Sequence, residues 1–207
     1  MKKYLVKIPF FVKFLYPKRL WHFSRKQKTI YLTFDDGPIP EVTPWVLEQL
    51  KLHNAKATFF CIGANIEKHP AIFEQIKAEG HRVGNHTFNH LNASKTSFTD
   101  YIKNTEKAAS HFKTPFLFRP PYGKLDHAKA NALLKKGYKI VMWDVLSADF
   151  DPKITPEECL NNILKNTKNG SIIVFHDSLK SQEKLRYSLP KVLEFYAGKG
   201  VAFKAID

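Results

Sequence analysis

Two adjacent carboxylates, Asp35 and Asp36, stand where the run Thr29-Ile30-Tyr31-Leu32-Thr33-Phe34 meets Gly37-Pro38. Ile30, Leu32 and Phe34 alternate with Tyr31 and Thr33, which predicts a strand, and Gly-Pro ends it in a turn. At the mouth of a buried strand, neighbouring anions repel each other and lose hydration. A cation, a shared proton or an arginine must offset that cost. The bland alternative is a solvated Asp-Asp turn cap. His86 and His90 supply two imidazoles four residues apart, one above the other if the backbone turns helically there. With Asp36 they make a set of one carboxylate and two imidazoles, which leaves a position open for water and has zinc as its default ion. A His-x-x-x-His pair alone is a weak motif; its company at other strand ends gives it weight. The six histidines His22, His53, His69, His81, His111 and His127 have no such company.

Successive strand residues face opposite sides, so Asp35 and Asp36 can do different work only if the strand curls as it enters the turn. One would then bind metal and the other would act as a general base. Arg119, ahead of Pro120-Pro121-Tyr122-Gly123, is a stiff, turn-borne partner for that base; a surface salt bridge is the alternative. His176 ends the apolar run Ser171-Ile172-Ile173-Val174-Phe175. To serve as a general acid it needs a carboxylate neighbour that raises its pKa, and both Asp144 and Asp149 are available.

The elements that must position these groups alternate regularly. Helices are expected over Glu41–His53, Ala64–Glu79, Phe98–Phe112, Asp126–Lys136, Pro156–Lys168 (with Thr155 as cap) and Ser181–Ala197. Between and around them lie about seven strands, at residues 30–34, 57–62, 81–84, 116–119, 138–143, 171–175 and 201–203. Such alternation calls for a parallel sheet with helices outside. The polar residues follow the C-terminal ends of several different strands, which favours a (β/α) barrel with its site at the C-terminal mouth over an open sheet with a single crevice.

The 207 residues carry 33 Lys plus Arg against 19 Asp plus Glu, a net charge of +14. Residues 1–28 alone hold nine cations and no acid, so the charge is concentrated at one end. That argues against a nucleic-acid groove and leaves two readings, a basic face or arm resting near anionic lipid or an acidic polymer, or a merely solvated basic end. The chain divides into this basic, aromatic segment, 1–28, and a single domain, 29–207. Ile8–Val12 is too short and too charged for a secretory signal or a membrane span. A cytoplasmic or membrane-peripheral monomer is the expectation. Phe10, Phe11, Phe14, Leu15 and Trp21 read either as an interfacial amphipathic helix or, favoured by the breaks at Pro9 and Pro17, as a cover for one end of the core. Cys61 and Cys159 are expected to be free, buried thiols.

The segments Thr33-Phe34-Asp35-Asp36-Gly37-Pro38, His86-Thr87-Phe88-Asn89-His90, Arg119-Pro120-Pro121-Tyr122-Gly123 and the His176 strand end resemble, in order, the motifs of the polysaccharide deacetylases, the NodB-homology domains of carbohydrate esterase family four. The resemblance runs from about Ile30 to Phe203. It implies a distorted (β/α) barrel of seven strands and a metal-dependent deacetylase of acetylated sugars such as peptidoglycan or a chitin-like oligomer. It also implies Asp35 as base, Asp36, His86 and His90 as ligands of zinc (or of cobalt or another divalent ion), and Arg119 as the partner of Asp35. His176 would be the acid, Asp149 its tuning partner, Tyr122 an oxyanion donor through its backbone N–H, and Pro121 part of the substrate wall. Two departures stand out. Phe150 follows Asp149 where the family usually has Trp, and Val174 precedes His176 by two where it usually has Leu. An amidase of the same superfamily acting on a small amide, and a silent carbohydrate-binding domain, are the other function classes. A general acid has no use in the last.

Overall fold

The computed structural model describes residues 4–112 and 116–207. Its order is α1 (Phe10–Leu15), β1 (Thr29–Asp35), α2 (Thr43–Leu52), β2 (Ala57–Cys61), α3 (Gly63–Lys68), α4 (Pro70–Ala78), β3 (Arg82–Asn85), α5 (Phe98–Ala109), β4 (Leu117–Phe118), α6 (His127–Lys135), β5 (Lys139–Ile140), β6 (Val145–Leu146), α7 (Pro156–Asn166), β7 (Ile172–His176), α8 (Gln182–Ala197) and β8 (Ala202–Phe203). The strands are parallel in the order β5-β4-β3-β2-β1-β7-β6, with β8 attached to the start of β1. The short strand β6 is the one that the sequence pattern does not announce. The result is a curled, incomplete barrel with helices around it.

Period-two alternation decides what faces where. Ile30, Leu32 and Phe34 pack outward with Phe59, Phe175, Val46, Leu50, Leu189 and Val192 beneath the helices. Tyr31 joins Phe60, Leu117, Val141 and Ile172 in a second cluster. Asp35, two positions on from Thr33, therefore belongs to the inner face. Thr155 caps α7 in a full capping box with Glu158, as its position before Pro156 suggests. The single helix expected over Ala64–Glu79 is instead two. Pro70 cannot donate a backbone hydrogen bond and disfavours helical geometry at His69, so α3 stops at Lys68 and α4 begins with Pro70 in its first turn. Cys61 and Cys159 are free and buried, and burial raises both thiols, Cys159 to about 12.

The gap between β5 and β6 is spanned by the start of the chain. Lys7 bridges Val145 in antiparallel fashion, Leu146 N donates to Val6 O (2.8 Å), and Leu20 bridges Val141 on the other side. Asp144, fully buried at the start of β6, anchors this crossing. It accepts from Lys7 (2.7 Å), Lys13, Arg25 (2.9 Å) and Ser171 (2.6 Å). Burial would raise its pKa, but these donors outweigh burial and hold it far below the usual carboxylate range. Its contribution to stability is present above the unfolded carboxylate value of about 3.9 and is lost as pH falls through the lower folded value. Asp144→Ala strands three cations that are partly hydrated. It is expected to lower unfolding stability by about 2–4 kcal/mol, measured by denaturant titration at neutral pH. A change below about 0.5 kcal/mol would mean that the crossing is held by packing alone. Trp21 is buried, as a core cover should be, but Phe10, Phe11, Phe14 and Leu15 are not. The expectation that they pack on the core fails, because α1 turns Val12, not these four, towards the domain.

Candidate active site

Strand register assembles the site. In the β1–β7 pair Asp35 lies opposite His176, and in the β3–β4 pair Asn85 lies opposite Phe118, which sets His86 beside Arg119. These groups come from distant parts of the chain and meet at the C-terminal strand ends. Asp35, Asp36, His86, His90 and His176 line a cavity of about 320 Å³ with Tyr4, Pro120, Tyr122, Gly123, Trp143, Leu146, Phe150, Val174 and Lys180. That volume is at the lower end for small-ligand sites, about 300–1,000 Å³.

β1 ends at Asp35, and Asp36 turns away from it with φ of 85°, so the neighbouring carboxylates do face different partners. Asp35 Oδ1 accepts from Arg119 Nη1 at 2.7 Å. Arg119 is no surface residue. It is fully buried, donates also to Thr33 Oγ1 (2.6 Å), Val141 O (3.2 Å) and Met142 O (2.9 Å), and lies 4.2 Å above the Phe60 ring. Burial lowers its pKa and the Asp35 charge opposes that shift.

Asp36, His86 and His90 offer one ligand atom each, all within 4.8 Å of one another. His90 Nε2 is 3.2 Å and His86 Nε2 3.7 Å from Asp36 Oδ1, a buried oxygen without a hydrogen-bond partner. Arg119 O lies 2.8 Å from His86 Nδ1, so that nitrogen carries the proton and Nε2 keeps its lone pair towards Asp36. Burial pushes His86 down to about 4 despite the charge of Asp35, which keeps it neutral and ligand-ready. For Asp36, burial raises the pKa but the His90 contact and the charge of His176 win, leaving it below the usual carboxylate range. An anionic oxygen with an unused lone pair beside two imidazole nitrogens fits a divalent cation of the zinc class. The two histidines do not sit on a helix, contrary to the helical turn considered from their spacing. They flank a loop in which Thr87 (φ 64°) and His90 (φ 55°) are left-handed. Of the non-glycine residues with positive φ among those described, Asp36, Thr87, His90, Tyr122 and Ala148 all lie at or beside this site, and such strained backbone concentrates where function over-determines it.

Opposite the ligand group, Asp149 engages His176 twice. Oδ1 is 2.7 Å from His176 Nδ1 and Oδ2 accepts from His176 N at 2.7 Å. Burial lowers the imidazole, the Asp149 charge and hydrogen bond more than reverse that, and the net is a rise to about 9. Asp144, the other carboxylate available on sequence grounds, is engaged at the far end of β6. Phe150 makes an edge-to-face contact with His176 (centroids 5.2 Å apart) where an indole was expected. Tyr122 flanks His90 with centroids 4.7 Å apart, whereas Pro121, buried in the same turn, does not line the cavity. Gly123 is required there, since a Cβ would meet the Trp143 ring at 2.4 Å.

Three residues of this region escape sequence reasoning. Tyr4 packs on Phe150 (5.5 Å) and donates to Asp151 (2.6 Å), so the start of the chain contributes to the cavity wall. Lys180 brings its ammonium to 3.6 Å from Asp36 Oδ2. Asp177, fully buried, accepts from Gly37 N (3.1 Å) and Thr43 Oγ1 (2.6 Å), and so fastens the Asp36–Gly37 turn to α2. Burial lifts its carboxyl to about 8. Only Asp177 left a signal, as a second acid-base group directly after His176.

Residues 23–141 match the family model described as polysaccharide deacetylase. This chain belongs to that family. A peptidoglycan-N-acetylglucosamine deacetylase of Bacillus cereus is 36% identical over 195 residues, 90% of each chain. A chitooligosaccharide deacetylase of Azorhizobium caulinodans is 40% identical over 167 residues, 77% of this chain and 79% of that one. Among solved structures, the Bc1960 peptidoglycan N-acetylglucosamine deacetylase superposes with a TM-score of 0.85 at 32% identity, covering 96% of this chain and 95% of its own. The curled parallel barrel is thus the family fold. His86→Ala removes one of the three candidate ligand atoms of the site. Bound zinc, measured by metal analysis after dialysis, is expected to fall from about one equivalent to below about a tenth. Undiminished zinc in this variant would place the metal elsewhere.

Proposed function

We propose that this polysaccharide deacetylase family member removes acetyl groups from N-acetylated glycans, with peptidoglycan or a chitin-like oligomer as substrate class and zinc as the working ion. Cobalt or another divalent ion would be able to replace it. One observation carries the reading. A single cavity is lined by the Asp36–His86–His90 donor set, an arginine-paired carboxylate, Asp35, and a carboxylate-paired imidazole, His176. A binding module has no need of that base-and-acid pair, and the substrates named for the relatives point to acetylated sugars.

A divalent cation held by Asp36, His86 and His90 would supply Lewis acidity, making water nucleophilic near neutral pH and polarising the acetyl carbonyl. Asp35, ion-paired to Arg119, takes the proton of the attacking water. The Tyr122 backbone N–H donates to the carbonyl oxygen as it becomes anionic. His176, held protonated by Asp149, delivers a proton to the amide nitrogen as the C–N bond breaks, because an amine is too basic to depart as an anion. Water and the N-acetyl group are consumed; acetate and a free amino sugar leave. Val174 and Leu146 form the apolar wall suited to the acetyl methyl group.

The test is acetate release by the zinc-loaded protein from acetylated peptidoglycan fragments, chitooligosaccharides and small amides. Release from the glycans, abolished by a chelator and restored by zinc, is the expected result. Release from small amides alone would replace the glycan reading, and no release from any substrate would sink it.

A further inference from the structure

α1 presents an apolar face that nothing in the fold covers. Phe10, Phe11, Phe14 and Leu15 are 81, 64, 76 and 63% exposed, and no residue of this short helix is buried. The helix is nevertheless held in place. Ile8, Val12 and Tyr16 pack against the core cluster that contains Trp21, Ile140 and Met142, and Lys13 reaches the buried Asp144. Its outward rings are therefore fixed in orientation. A contiguous group of large exposed side chains on a held element marks an interaction surface.

Charge identifies the partner. Residues 1–28 carry nine cations and no acid. Lys7, Lys13 and Arg25 are committed to Asp144, while Lys18, Lys26 and Lys28 are exposed. Two copies meeting through this face would bring two acid-free segments together, so self-association is disfavoured. A neutral apolar partner would leave the lysines without a role. We propose that α1 and its flanking lysines dock the protein on an anionic lipid surface, with the rings at the headgroup–acyl boundary and the ammonium groups among the headgroups.

The experiment is sedimentation of the full, zinc-loaded chain with vesicles of phosphatidylcholine alone or with about one-third phosphatidylglycerol. Strong partition onto the anionic vesicles and weak partition onto the neutral ones is expected. The variant Phe10→Ser/Phe11→Ser/Phe14→Ser should lose at least about tenfold in partition with unchanged thermal unfolding. Lys18→Glu/Lys26→Glu/Lys28→Glu should lose a similar factor, as should wild type in high salt. Equal binding by the phenylalanine variant would show a polyanion contact that needs no apolar insertion, and would overturn the proposal. So would absent binding to anionic vesicles, or a wild-type dimer in sedimentation equilibrium that the phenylalanine variant abolishes.

Discussion

Asp35→Asn is expected to lower kcat on an N-acetylated chitooligosaccharide by about 10³-fold while leaving stoichiometric zinc in place. The amide keeps the shape of the carboxylate but accepts no proton from the attacking water. Asp35 is not part of the Asp36–His86–His90 donor set, so the metal content of the purified variant should be unchanged. Arg119 loses its anion yet keeps Thr33 Oγ1 and the Val141 and Met142 carbonyls, which limits the structural damage. A thermal melt is still expected to show destabilisation, since a fully buried guanidinium has lost its counter-charge. Unchanged turnover would remove Asp35 from the role of base. Lost zinc together with lost turnover would instead make it a metal ligand.

The second large effect concerns pH. Through Asp149, His176 is raised to about 9 from an ordinary imidazole value of about 6.5. A group raised on folding adds stability that is full below about 6.5 and is lost as pH rises through the folded value. The same rise keeps His176 protonated, and able to act as an acid, at neutral and mildly alkaline pH. The kcat profile should therefore have an alkaline limb that falls towards about 9. Asp36 and Asp35 also contribute to the rise, so a cation bound at Asp36 would offset part of it and place the limb somewhat lower. Asp149→Asn removes the larger, local contribution. Its limb is expected to move towards about 6.5, costing about 10- to 100-fold in kcat at pH 8, with little change at pH 6 beyond the loss of orientation. Asp149→Glu should restore part of the shift. A limb that stays in place in Asp149→Asn would mean that Asp149 only orients the ring.

The residues of the site were legible in the sequence because chemistry here is dense and local. Asp35-Asp36, His86 with His90, Arg119 and His176 each stand at or just past the end of a strand, and a parallel alternation of strands and helices gathers strand ends at one mouth. The outer face of β1 and the cap of α7 were legible for a similar reason, since period-two alternation and a capping box act within a few residues. The break at Pro70 carried a local signal too, but the hydrophobic spacing on both sides of it masked the stop.

What the chain order leaves open depends on register and closure. Whether Asp149 or Asp144 serves His176 is decided by β6, a two-residue strand without periodicity, whose pairing of Leu146 with Val174 sets Asp149 near His176 and leaves Asp144 at the opposite end. Spacing suggested a helical turn for His86 and His90, but left-handed residues between strand and loop aim the rings instead. The contributions of Tyr4, Lys180 and Asp177 likewise depend on contacts across more than a hundred residues. Side-chain types and local periods fix which groups lie at strand ends, because those forces reach only a few residues. Which carboxylate meets which imidazole, and which aromatic rings of the first helix are left facing outward, follow only once the sheet has curled and the first segment has crossed its gap.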